Sequence, residues 1–213
     1  QTQLTHLLGP TSSTKTLTQP FPLGGYEGFE LGLSIENIDV SKLQNFGNGS
    51  ETESSLYIPK ITFAKGLYFD LDVFIEFAPL LRQEKVSEFG ILVRKSLFQS
   101  RFYPLNLSLS LYGNAINVDN IFIGETYGYT LTSGMTLADL SIYLGIGSAS
   151  TQAKITGVKQ GQTITASGEN EETSLQQLHT VFGMSYDFGQ YFASFQADRY
   201  QVPVYSFKLG YRL

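Results

Sequence analysis

The last nine residues of the chain alternate without a break. Tyr205, Phe207, Leu209, Tyr211 and Leu213 are large and apolar or aromatic, whereas Ser206, Lys208, Gly210 and Arg212 between them are small or charged. A period of two predicts a β-strand with one apolar and one polar face. The same pattern recurs upstream. Phe29, Leu31, Leu33 and Ile35 oppose Glu30, Gly32, Ser34 and Glu36, and Phe69, Leu71, Val73, Ile75 and Phe77 oppose Asp70, Asp72 and Glu76. A chain built from such strands must turn every apolar face either onto a shared core or into lipid.

Taken in order, the pattern predicts ten strands. Nine are expected over residues 25–39, 57–64, 67–77, 87–98, 105–112, 121–131, 178–188, 191–198 and 204–213, and the seventh starts near Leu137. Reversals are expected at Lys65-Gly66, Ser133-Gly134 and Gly189-Gln190, where glycine supplies turn conformations. In the sixth strand the outward frame points Glu125 toward the apolar side, which predicts a bulge beside Gly124 or a place near the rim. Residues 1–24, rich in Thr, Ser and Pro and without a period, are expected to form a periplasmic leader or a plug folded into the lumen, ahead of a barrel over 25–213.

No apolar run approaches the roughly 18 residues of a membrane helix, which rules out a helical membrane protein but not a barrel, whose alternating faces average to the observed mean hydropathy of −0.05. With no cysteine, the chain has no disulfide framework, thiolate metal site or cysteine nucleophile. A net charge of −5 and the lack of a basic stripe argue against nucleic acid as a partner. The first residues show no basic, then apolar, export signal, so the chain is expected to be a mature product.

Alternation alone does not separate a membrane barrel from a soluble one with its apolar face inward. Three features favour the membrane. Connections alternate long and short, aromatic residues gather near the short turns, and an even strand number lets the last strand pair with the first. The terminal alternation of 204–213 resembles the C-terminal strand of Gram-negative outer-membrane β-barrel proteins, with Leu213 where that family usually ends in Phe. The resemblance implies an all-β, transmembrane, antiparallel up-and-down barrel of about ten strands, eight or twelve being the alternatives. It also implies an outer-membrane location with both termini periplasmic, contact with outer-membrane lipid and lipopolysaccharide, and insertion through the terminal strand.

The inward face is expected to carry Glu30, Glu36, Lys60, Asp70, Asp72, Glu76, Glu88, Arg94, Asp139, Asp198, Lys208 and Arg212, either as a packed polar interior or as a narrow pathway favouring cations. Asp70-Leu71-Asp72 with His179 is similar in residue type to the acidic and Asp/His pairs of the omptin proteases, but the threading puts the aspartates near the short-turn end and His179 near the other. The barrel lipid hydrolases use an outward-facing Ser/His pair, whereas His179 is expected inward. No catalytic site, metal site or cofactor is therefore expected. The expected roles are a narrow pore for small solutes or a structural barrel in a monomer, with binding of partners through loops 41–55 and 151–174 as the alternative.

Overall fold

The computed structural model describes residues 13–39, 55–78, 86–100, 102–156, 158–159, 162–163, 171–200 and 202–213. A 3-10 turn at Gly25–Glu27 leads into β1 (Phe29–Asp39), β2 (Ser55–Leu67), β3 (Leu71–Ala78), β4 (Val86–Gln99), β5 (Leu105–Val118), β6 (Phe122–Leu137) and β7 (Leu140–Ile155). A two-residue pair, β8 (Val158–Lys159) and β9 (Gln162–Thr163), forms its own small sheet, and β10 (Glu171–Phe188), β11 (Tyr191–Arg199) and β12 (Pro203–Arg212) complete the chain. The ten long strands close into one antiparallel barrel in chain order, with β12 pairing back onto β1. Closure leaves the barrel no edge strand, so each of its ten strands finds a partner strand on both sides.

Burial alternates along the strands as the pleat requires, but the polarity is inverted relative to a soluble protein. Leu33, Leu144, Ile146 and Leu209 are exposed, whereas Glu30, Glu36, Lys60 and Arg94 are buried. Exposed aromatic rings collect at the short-turn end, where Tyr186, Phe188, Tyr191 and Tyr211 form a chain of ring contacts 5.5–6.5 Å apart. Tyr127 and Tyr129, expected in that group, face Gly113 and Leu111 well up the wall because β6 is longer than its pattern predicts.

Two expected turns are strand interior. The first reversal falls at 68–70, because Gly66 serves a close approach: a Cβ there would sit 2.3 Å from the Gly25 carbonyl oxygen, and its N–H bonds Gly28 O at 3.0 Å. Ser133 and Gly134 likewise lie within β6, and the chain reverses at 138–139. Nor does β6 contain a bulge, since its register with β5 is unbroken; Glu125 lies exposed beside Ala115 and Gln152, near the rim. The bulge is in β4, where Leu97 is the extra residue between Ser96 and Phe98. The 151–174 stretch begins and ends as continuous ladder, with Ile155 opposite Glu171. Of loop 41–55, only Ser55 lies among the described residues.

Candidate functional site: the barrel lumen

Glutamate, lysine and arginine are tolerated inside a closed wall only where each meets an opposite charge. In this lumen the wall's own pairs are joined by one ammonium, Lys15, and several polar groups from residues 13–23, which lie inside the wall, with Ser13, Thr14, Lys15, Leu17, Thr18 and Leu23 all buried. Ser13 Oγ is 2.5 Å from the Tyr200 hydroxyl, in the connection between β11 and β12. Leu23 N–H donates to Asp72 Oδ1 at 3.1 Å, near the opposite, short-turn end. The segment therefore runs the length of the lumen, held at three levels.

At the long-connection end, Lys15 Nζ lies 2.7 Å from Glu36 Oε1, and Lys60 Nζ lies 3.0 Å from the same oxygen and 2.6 Å from Glu88 Oε1. Lys15 N–H also donates to Glu76 Oε1 at 3.3 Å, and Asn114 Nδ2 to Glu88 Oε1 at 3.1 Å. Lower down, Arg94 pairs with Asp72 through Nε at 3.0 Å and Nη2 at 2.7 Å, and donates to the carbonyls of Gln19 and Phe21 at 2.7 and 2.8 Å. At the seam between β1 and β12, Glu30 takes Lys208 at 2.6 Å, Arg212 at 3.2 Å and the Thr18 hydroxyl at 2.5 Å, and Arg212 reaches Asp187 at 3.0 Å.

Asp198 completes the buried set, accepting from Gln196 Nε2 at 3.0 and 2.9 Å. Two of the expected lumen residues are elsewhere. Asp70 and Asp139 are exposed in turns, because extending β2 and β6 carries both acids past the last ladder pair. His179 is inward, 3.1 Å from the Thr130 hydroxyl and stacked on Tyr200 at 4.7 Å, whereas Asp72 is engaged by Arg94. Among the described residues, no hydrogen bond or ion pair joins His179 to Asp72. Burial, with Tyr112 and Asp198 close by, pushes the Tyr200 phenol well above its usual range and keeps it a neutral hydroxyl.

The sequence reading missed Lys15, Thr18, Gly90 and Gly134. A Cβ on Gly90 would fall 2.0 Å from Thr14 Oγ1, and one on Gly134 would fall 2.4 Å from Pro20 Cβ, so both glycines leave room for the inner segment. Also unexpected is an apolar layer across the long-connection end, formed by Ile38, Ile58, Ile116, Phe122, Ile155 and Val204. Among the described lumen residues, one cavity of about 20 Å³ lies beside His179 and Asp198 and another of about 10 Å³ beside Arg94. The larger holds about one water.

A closed antiparallel barrel with an apolar exterior, an aromatic end and a polar interior is a transmembrane β-barrel of the outer-membrane type. No protein-family model matches the sequence. No curated protein matches it either. The chain is similar in structure to the N-terminal β-barrel domain of OprF from Pseudomonas aeruginosa, at 8% identity over 89% of this chain and 99% of that one, with a TM-score of 0.42. It is also similar to Ail, the attachment invasion locus protein of Yersinia pestis, at 15% identity, covering 87% of this chain and 97% of that one, with a TM-score of 0.35. A third likeness is to Neisserial surface protein A, at 11% identity, 89% and 98% coverage and a TM-score of 0.37.

Proposed function

We propose that the protein is an outer-membrane barrel whose narrow channel is held shut by its own residues 13–23 acting as a plug. The observation that carries this reading is the passage of that segment along the lumen, tied to wall charges at Glu36, Arg94 and Glu30. Solute passes only when the segment withdraws. The wall then presents Glu30, Glu36, Asp72, Glu76, Glu88 and Asp198 against Lys60, Arg94, Lys208 and Arg212, an excess of carboxylates that favours cations. In this reading the short turns face the periplasm, β12 carries the insertion signal, outer-membrane lipid and lipopolysaccharide meet the apolar exterior, and one chain suffices. Ser13 lies at the end of the barrel opposite Leu213, while Gln1, which the expectation of two periplasmic termini concerns, lies outside the described residues.

The test uses a disulfide staple in a cysteine-free chain. The Thr14 Cβ lies 3.3 Å from the position a Cβ on Gly90 would take, close to the span of a disulfide. Single-channel recording in a planar bilayer is expected to show no steps for oxidised T14C/G90C and cation-preferring steps for the chain lacking residues 1–24. Steps of equal size in the oxidised staple and the truncated chain would overturn the plug. Silence in a truncated chain proven folded would leave a structural barrel.

A second reading rests on β6, β7 and β10, which span 16, 16 and 18 residues against the roughly 9–11 that cross a bilayer, with β10 running past the start of its pairing to β11 at Thr180. The long-connection ends of these strands extend past β11 as one sheet suited to partner binding. Trimming it should abolish adhesion and leave conductance unchanged.

A further inference from the structure

We infer that the carboxylates at the long-connection end of the lumen form a binding site for primary alkylammonium ions, filled in this structure by the chain's own Lys15. The inference rests on the plug reading and names the solute class the wall recognises. Glu36, Glu76, Glu88 and Asp198 are all buried there, and the wall itself supplies one ammonium, Lys60. Lys15 comes from the inner segment. Its Nζ is 2.7 Å from Glu36 Oε1 and donates to Ser13 O at 3.3 Å, the contacts an ammonium ligand makes.

The cage is not exhausted by these two cations. Among the described residues, Glu36 Oε2 and Glu88 Oε2 are buried and make no hydrogen bond, although each belongs to a carboxylate paired through its other oxygen. A buried carboxylate oxygen without a donor is costly, and a group with three N–H donors is suited to relieve it. The wall around Lys15 also includes Leu92 and the rings of Tyr112 and Tyr200, apolar surface that suits an alkyl stem. A primary ammonium on a short chain fits both halves of this environment, whereas a hydrated metal ion would find no use for the apolar half.

Chemical rescue tests the site. Lys15→Ala removes a propylammonium group, and n-propylammonium chloride added during refolding into detergent replaces it. The midpoint of heat-modified gel migration of K15A is expected to rise saturably by roughly 4 °C or more, with no rise in sodium chloride of equal ionic strength or in n-propanol. In K15A/E36Q the concentration at half effect should increase about tenfold or more, the loss of one charge-assisted contact. No rise, an equal rise with n-propanol, or an unchanged response in K15A/E36Q would overturn the site.

Should K15A fail to fold, T14C in the otherwise native chain gives a second readout. Its thiol, at a buried position, should react several-fold faster with a maleimide when n-propylammonium competes with Lys15. A thiol protected with and without the amine would sink the ammonium site and leave the plug standing. A thiol freely reactive under all conditions would sink the plug and the site with it.

Discussion

Arg94 and Asp72 are register partners on β4 and β3, and Arg94 directs both Nε and Nη2 at the same Asp72 oxygen, 3.0 and 2.7 Å away. Asp72 turns its other oxygen to the N–H of Leu23, and Arg94 donates to the carbonyls of Gln19 and Phe21. One ion pair on a single hairpin therefore holds a segment 49 to 75 residues away in sequence by both its donors and its acceptors. Arg94→Met should destabilise the folded barrel by about 3–5 kcal/mol, because Asp72 is left charged and buried. R94M/D72L, which removes both charges, should recover much of that loss. Urea midpoints in detergent micelles decide it; a double variant no better than R94M would show that the segment contacts, and not the orphaned carboxylate, set the cost.

The glycine on β4 opposite Thr14 makes a second prediction. Gly90→Val places three carbon atoms where Thr14 now lies, since even a Cβ would stand 2.0 Å from its hydroxyl oxygen. A wall valine is compatible with strand backbone, so the barrel should persist while the segment lifts from the wall. In T14C/G90V the thiol should be modified several-fold faster than in T14C alone, at unchanged heat-modified migration. Equal rates would place Thr14 away from Gly90.

The strands were legible in the sequence because the pleat forces side chains to alternate, so Leu31, Leu33 and Ile35 and their polar neighbours announce β1 without knowledge of its partners. Turn positions were not, because glycine has two uses. Gly66 and Gly134 read as turn residues, yet each is needed for a backbone or a proline passing close by, while Phe69, Asp70 and Ala138 adopt positive φ without glycine. That misreading put Asp70 and Asp139 on the wrong surface. The inner segment was illegible for a related reason. Thr14, Lys15 and Thr18 obey no period, since an extended strap held by side chains from all around it has no single face. The available signal was an excess of inward carboxylates that the wall's own cations did not balance.

Leu33 lies 66% exposed in the middle of β1, flanked by Ile61 on β2 and Leu209 on β12. With that face in hydrocarbon, Leu33→Lys should cost about 2–4 kcal/mol. Glu125→Lys, on the same exterior but at the rim near Lys154 and Glu172, should change stability by less than about 1 kcal/mol. Unfolding measured in lipid vesicles checks both. Equal small effects at the two positions would mean that the apolar face at Leu33 does not meet lipid.

The barrel closes where β12 pairs with β1. Glu30 on β1 meets Lys208 and Arg212 on β12, 178 and 182 residues away in sequence, and these pairs exist only once the final strand has docked on the first. Contacts of such separation carry the largest loop-closure cost and are expected to form after the local hairpins. Glu30→Gln keeps the shape and removes the charge, leaving Lys208 buried beside a neutral amide, so its effect should fall on the unfolding rate far more than on the folding rate. Arg94→Met, within one hairpin, should slow folding by a larger share of its total effect. Refolding and unfolding followed by heat-modified migration would show this as a difference in how each variant's loss divides between the two rates. An E30Q variant that slowed folding as strongly as it sped unfolding would mean that β1 and β12 meet before the wall between them is built.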